Sequence, residues 1–298
     1  MASMNIKEAW TYRNLRADLN RKKWVDLEYK LNFRNSPELR NIPDEDFPKT
    51  VLIVPDGQRR FGEDARLSTA EAYQMGADNL FLQLKALSSH DVPIQTAIAW
   101  GFSADNWDRP PRQIDGLMTL MRKTIPDIAE HLDTVGGRFI HLGRREVRPE
   151  KAALYKDYSY LLEDMHKLEE KTQKNPGKVV AVAVDFGGLD QDVRSHQDAV
   201  NTGRVLQPGQ IFQVTPQDVW EMRDSGGLIR TADLGIRTGE KILAGKKGVG
   251  MFHSSDIRWP NGKETLWVTY EKRFPQLTLQ DTAYAIQQYA ATEKRQGK

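Results

Sequence analysis

The feature that most restricts the fold of this chain is an alternation between short apolar runs and longer stretches of helical periodicity. Val51-Leu52-Ile53-Val54 is bounded by Pro48 and by Pro55-Asp56-Gly57, and it reads as a buried strand opening into a loop. After it, Leu67, Ala70, Tyr73, Ala77, Leu80, Phe81, Leu84 and Leu87 recur at helical spacing until Pro93 stops the pattern. The same reading predicts strands over 94–100, 138–142 and 179–184, and helices over 114–132, 151–174 and 189–201. Strand and helix taking turns through short connections predict an α/β fold, a mostly parallel central sheet flanked by helices on both faces. Ligands in such sheets gather where strands end and helices begin, so chemistry is expected in the loops after these strands.

Composition narrows the partners. Lys+Arg 43 against Asp+Glu 41 leaves +2 over 298 residues, so nothing general favours nucleic acid, and an anion must be held by a local cluster. The absence of cysteine excludes disulfides, thiolate metal sites and cysteine nucleophiles. No apolar run is long enough to span a bilayer, and the first residues lack the apolar segment of a signal peptide, so a cytoplasmic location is expected. Residues 1–47 read as a helical arm in front of a catalytic domain over 48–298. In this arm Arg13, Arg16, Arg21, Lys22, Lys23 and Lys30 interleave with Trp10, Tyr12, Leu15, Leu19, Trp24 and Leu27. Two readings of the arm stand: a helix packed on the domain or on a second subunit, and an interfacial helix in peripheral contact with a membrane of anionic lipid.

Two loops carry the chemistry. Pro55-Asp56-Gly57-Gln58-Arg59-Arg60-Phe61-Gly62 puts a carboxylate, a flexible glycine and two guanidinium groups at the mouth of the first strand. The Asp can hold Mg²⁺ against phosphate oxygens, the Gly lets backbone N–H groups approach them, and Arg offers a two-pronged donor. An ordinary turn followed by solvated arginines has the same letters, and on this segment alone both readings stand. The second loop, from Trp100 to Pro110, is denser in hydrogen-bonding and aromatic groups than a connector requires.

Taken in order, five motifs make a specific pattern: Asp56-Gly57-x-x-Arg60, Phe102-Ser103-x-Asp105-Asn106-Trp107-x-Arg109-Pro110, Phe186-Gly187-Gly188, Asp233-Leu234-x-Ile236-Arg237-Thr238-Gly239, and Trp259-Pro260. Together they resemble the cis-prenyltransferases, the undecaprenyl diphosphate synthase family, from about Thr50 to the C-terminus. The resemblance implies a hydrophobic tunnel beside the sheet and a homodimer or heterodimer. It also implies prenyl diphosphate substrates: an allylic diphosphate joined to isopentenyl diphosphate with Mg²⁺. By the same resemblance Asp56 serves the metal and the leaving group, and Gly57, Arg60 and Arg109 hold the allylic diphosphate, with Gln58 and Arg59 placed in that set. Asn106, Ser103 and Trp107 shape the reacting centre. Arg237 holds the second diphosphate with Arg295 and Gly297, whose Arg-x-Gly tail reaches into a neighbouring subunit. The tunnel wall is expected from helices 67–87 and 114–132, with Met75, Met118 and Met121 adding soft side chains and Gly101 at its mouth.

Several positions depart from the family. Gln58 stands for Asn, Thr69 for Arg, Tyr73 for His and Leu189 for Arg, with Arg59 or Arg66 available to replace lost charge. The run after Gly239 is shortened and offers Lys241, with Lys246 and Lys247 close behind, instead of a second Arg, and Met251 falls where the family carries a metal-binding Glu; the alternative is that Lys241, Lys246 or Asp256 takes over the missing roles and normal elongation persists. The second diphosphate site therefore looks eroded. The expected function is Mg²⁺-assisted ionisation followed by regular or irregular condensation of two prenyl diphosphates. A single-substrate terpene cyclase is one alternative. A non-catalytic accessory subunit is another, and the retained Asp56 and Arg60 argue against it.

Overall fold

The computed structural model describes residues 6–201, 215–229, 231–239 and 261–292. In chain order the elements are α1 (Ile6–Asn32), β1 (Thr50–Val54), α2 (Gln58–Ala65), α3 (Thr69–Leu87), β2 (Thr96–Ser103), α4 (Pro111–Val135), β3 (Arg138–Leu142), α5 (Pro149–Ala152), α6 (Lys156–Thr172), β4 (Val179–Phe186), α7 (Gly188–Asn201), α8 (Pro216–Glu221), β5 (Ala232–Thr238), β6 (Asn261–Tyr270) and α9 (Leu279–Ala290). The strands form one sheet in the order β3-β4-β2-β1-β5-β6, and every pairing is parallel. β1 is central, so its loop opens between the ends of β2 and β5.

Alternation along each strand divides the interior into two layers. Val51, Ile53, Ala97, Ala99, Val180, Val182, Leu234 and Ile236 face a large core closed by α3, α4, α6 and α9. Leu52, Val54, Ile98, Trp100, Ala181 and Ala183 face a smaller one with Ile229 and Trp220. In β2 the alternation slips: Trp100 pairs with Ala183 and Phe102 with Val184, so Gly101 is the extra residue of a bulge that turns Phe102 into the large core. A Cβ on Gly101 would sit 3.0 Å from the Ala183 carbonyl oxygen.

α3 starts at a reciprocal cap, in which Ser68 and Glu71 each bond the other's backbone N–H. α1 packs along α2 and α9: Leu15 meets Phe61, Ala65 and Ala72, Tyr29 and Phe33 enter the large core, and Asp26 accepts from the Leu279 N–H at 2.8 Å.

Two expectations are corrected. The helix read over 151–174 is broken into α5 and α6, because Tyr155 is extended and sends its buried ring against Trp107 at 5.5 Å between centroids. The segment after Gly57, read as open loop, is helical from Gln58.

Candidate active site

The ends of β1, β2 and β5 and the starts of α2 and α4 surround a polar cavity of about 570 Å³. Asp56, Gly57, Gln58, Arg59, Arg60, Ser103, Asn106, Arg109 and Arg237 all line it, although they come from three separate stretches of sequence. Asp105, Asp108, Tyr73 and Gln113, not singled out as binding residues in the sequence, complete the wall.

Asp56 is fixed from both ends. Its backbone N–H donates to the Thr238 hydroxyl oxygen at 3.1 Å, that hydroxyl lies 2.9 Å from the Asp56 carbonyl oxygen, and the same carbonyl accepts from Phe274 N–H at 3.1 Å. One carboxylate oxygen accepts from Gly57 N–H, and the other faces Arg237 Nη2 at 3.3 Å. Arg60 stands 3.7 Å from the carboxylate and donates to the Gly239 carbonyl at 2.7 Å. β5 therefore buttresses the β1 loop, which is how Asp-Leu-x-Ile-Arg-Thr-Gly and Asp-Gly-x-x-Arg, about 180 residues apart, form one site.

Gly57 caps α2 at φ +89°, a conformation that favours glycine, and a Cβ there would lie 2.9 Å from the Arg273 side chain. The first-turn amides of α2 are thus delivered to the cavity, where partial positive charge favours an anion. Arg109, which precedes α4, donates from Nη1 to the Tyr73 hydroxyl at 3.3 Å, so Tyr73 orients this arginine at the cavity wall. The cavity holds four arginines against three carboxylates.

The polar cavity runs into an apolar slot through shared walls at Pro55, Gln58, Tyr73, Trp100, Gly101 and Leu117. α3 lines the slot with Tyr73, Gly76, Ala77, Leu80, Phe81 and Leu84, and α4 lines it with Leu117, Leu120, Met121, Thr124, Ile125 and Ile128. Both sets follow the i, i+3, i+4, i+7, i+8, i+11 pattern of one helix face. Gln58 lies across the junction. Its side chain covers Gly76, where a Cβ would fall 2.3 Å from Oε1.

Four expected residues stand elsewhere. Trp107 is buried but does not line the cavity; its ring packs on Phe102 and Tyr158, and its N–H is used on Asp185. Of the three methionines only Met121 reaches the slot: Met118 is turned into the core and Met75 packs toward the cluster of Leu15 and Phe61. Arg66 caps the far end of α2, about 12 Å of helix from the cavity. Thr69 and Leu189 also lie off the cavity wall. Arg295, Gly297, Lys241, Lys246, Lys247, Met251, Asp256 and Trp259-Pro260 lie outside the described residues.

Among the described residues no cluster of three or more His, Asp or Glu could cage a metal ion. The carboxylate at the site is Asp56, half-exposed at the cavity, which Asp105 and Asp108 also line without forming a cluster with it. A single carboxylate beside a phosphate site fits Mg²⁺, which keeps several waters and takes one or two carboxylates plus substrate phosphates.

The family model described as undecaprenyl diphosphate synthase matches residues 54–297. An isoprenyl transferase of Thermus thermophilus is 27% identical over 277 residues, covering 87% of this chain and 92% of that protein. One from Thermotoga maritima is 28% identical over 252 residues, covering 84% and 97%. In fold the chain is similar to lavandulyl diphosphate synthase from Lavandula x intermedia, solved with dimethylallyl diphosphate, at a TM-score of 0.66 and 20% identity over 83% of this chain and 97% of that one. With the family model matched across most of its length, the chain belongs to the undecaprenyl diphosphate synthase family of cis-prenyltransferases.

Proposed function

We propose that the protein is a prenyltransferase that ionises an allylic prenyl diphosphate at Asp56 and condenses the allylic carbon with a second prenyl diphosphate. The observation that carries this reading is the direct passage from an arginine-rich cavity into an apolar slot, which matches a molecule with a diphosphate head and a hydrocarbon tail. Family membership and the names of the relatives support it.

In this reading the tail lies between α3 and α4 and the diphosphate sits over the α2 N-terminus, held by its amides and by Arg60 and Arg109. Asp56, the carboxylate nearest those amides, would hold Mg²⁺, which supplies charge neutralisation to the departing diphosphate. As the carbon–oxygen bond breaks, the electron pair leaves with the diphosphate. The double bond of the second substrate then attacks the allylic carbon, and a proton is lost to restore neutrality at the new chain. Arg237, beside Asp56, would fix the second diphosphate, with Arg295 and Gly297 contributed by a second copy in a homodimer. The buried Ser103 and the neighbouring Asn106 face the reacting end.

The test is turnover of dimethylallyl, geranyl, farnesyl and geranylgeranyl diphosphates, each with and without isopentenyl diphosphate. Longer diphosphates formed in a Mg²⁺-dependent reaction and lost in Asp56→Ala are the expected outcome. Cyclised product from one substrate would replace condensation by a cyclase, and no product from any combination would leave an accessory subunit. Deletion of residues 295–298 should raise KM for the second substrate; a fully active monomer would remove the shared site.

A further inference from the structure

We infer that the outward face of α1 is a docking surface for an anionic lipid bilayer. α1 is held by its inner face, where Leu15, Asp26 and Tyr29 are all buried, with Phe33 buried just past its end. On the opposite side Trp24, Leu27 and Leu31 are 74%, 52% and 81% exposed. Their i, i+3, i+7 spacing places them in a single stripe along the helix. The exposure is enforced, because Asp26 binds the Leu279 N–H and pairs with Lys22, which fixes the rotation of α1 on the domain.

Charge and size select the occupant. Lys23 and Lys30 run along one side of the stripe and Arg21 lies on the other, all exposed, with Glu28 the one acid beside it among the described residues. Apolar side chains flanked by cations are the pattern of a helix lying in a bilayer interface, with Trp at the headgroup level. A second protein is the poorer fit: the stripe spans about 10 Å of helix, whereas stable protein interfaces bury about 800 Å² per partner. α1 also packs on α2 and α9, so docking would bring the helix that carries Gly57 to Arg60 close to the lipid surface.

The experiment is co-sedimentation of the full chain with phosphatidylcholine vesicles and with vesicles containing phosphatidylglycerol, alongside Trp24→Glu/Leu31→Glu and Lys23→Glu/Lys30→Glu. Binding to anionic vesicles should exceed binding to neutral ones by about tenfold to a hundredfold and weaken steeply in 0.5 M salt, where the Debye length shrinks to about 4 Å. Either double variant should lose that preference while melting normally and keeping turnover of dimethylallyl and geranyl diphosphates, short substrates that stay in solution. Equal binding by wild type and both variants would overturn the assignment. So would a wild-type dimer that Trp24→Glu/Leu31→Glu converts to monomer without any change in vesicle binding, since the stripe would then be a protein interface.

Discussion

The indole Nε1 of Trp107 donates to Oδ1 of Asp185 across 2.7 Å, tying the loop after β2 to the end of β4. Asp185 is fully buried and holds φ +51°, a left-handed conformation that Asp tolerates better than most residues. Its two oxygens also accept from Arg148 Nη2 at 3.0 Å and from the Tyr158 hydroxyl at 3.1 Å. Burial and the Asp185 charge both push the Tyr158 phenol above its ordinary pKa, so it remains a donor. Trp107 is thus a clamp that sets Asn106 and Arg109, on either side of it, at the cavity wall. Asp185→Ala would leave a half-buried guanidinium, a buried indole and a buried phenol without their acceptor, and should destabilise the fold by about 3–5 kcal/mol. Asp185→Asn keeps an acceptor for Trp107 and tolerates the backbone, so urea denaturation should place it between wild type and Ala, with kcat falling more than KM rises. Equal stability of the Ala variant and wild type would mean that the clamp contributes nothing.

Asp56→Asn separates charge from shape. The amide oxygen can still accept from Gly57 N–H, whereas the negative charge facing Arg237, and the one proposed to hold Mg²⁺, is gone. Because the Asp56 side chain is 42% exposed, the fold should survive, with a loss of about 1–2 kcal/mol from the neighbouring Arg237. kcat should drop by about 10²–10³ or more, the scale of removing one group that stabilises transition-state charge. A variant within threefold of wild type in excess Mg²⁺ would contradict the role given to this carboxylate.

Gly101 controls the passage between the two cavities. A Cβ there meets the Ala183 carbonyl oxygen at 3.0 Å, the Met121 sulfur at 3.5 Å and a Val182 methyl at 3.5 Å, in a bulge whose backbone cannot readily yield. Gly101→Val should therefore cost about 1–3 kcal/mol by overpacking. It should also suppress farnesyl and geranylgeranyl diphosphate use more than dimethylallyl diphosphate use, which kcat/KM across the substrate series measures. A uniform decrease across chain lengths would place the tail outside the slot.

The first four strands and helices α3, α4 and α7 were legible because their apolar periods are unbroken: 138–142 appears with the same bounds, and 179–184 only gains Asp185 and Phe186, whereas β5, β6 and α9 were not read as elements. The β1 loop and the Asn106 loop were legible because several polar residue types crowd into a few positions. α2 was not. Its polar Gln58-Arg59-Arg60 start and its Gly62 hide the helical period, and only tertiary packing explains the glycine, since a Cβ on it would meet the Ala72 Cβ at 2.9 Å. Asp185 was also illegible, because a single carboxylate closing an apolar strand gains meaning only when β4 brings it to Trp107. The misplaced methionines have a geometric cause: Met75 is about 100° from the Gly76 face and Met118 about 60° from Met121, so equal chemistry lands on different walls.

Two buried histidines give the stability a defined pH dependence. His141 Nε2 lies 3.0 Å from the Val184 carbonyl oxygen and must donate to it. Ser88 donates its hydroxyl proton to the Leu84 carbonyl at 2.6 Å, so His131 Nε2, at 2.7 Å from the Ser88 oxygen, donates as well. Burial lowers the pKa of both rings below 6.5; Lys85 adds to the effect at His131 and Arg145 at His141. Because the folded values are depressed, the unfolded chain takes up protons first as the pH falls through about 6.5, while the folded rings stay neutral. The stabilisation is therefore complete above that pH and is lost below it, by about 1.4 kcal/mol per pH unit for each ring until its folded pKa is reached. Urea midpoints should fall between pH 7 and pH 5.5. His141→Gln retains a donor for Val184 and removes one titrating ring, so its profile should be flatter by about half in this window. A Gln variant with the wild-type slope would show that the acid sensitivity arises from other groups.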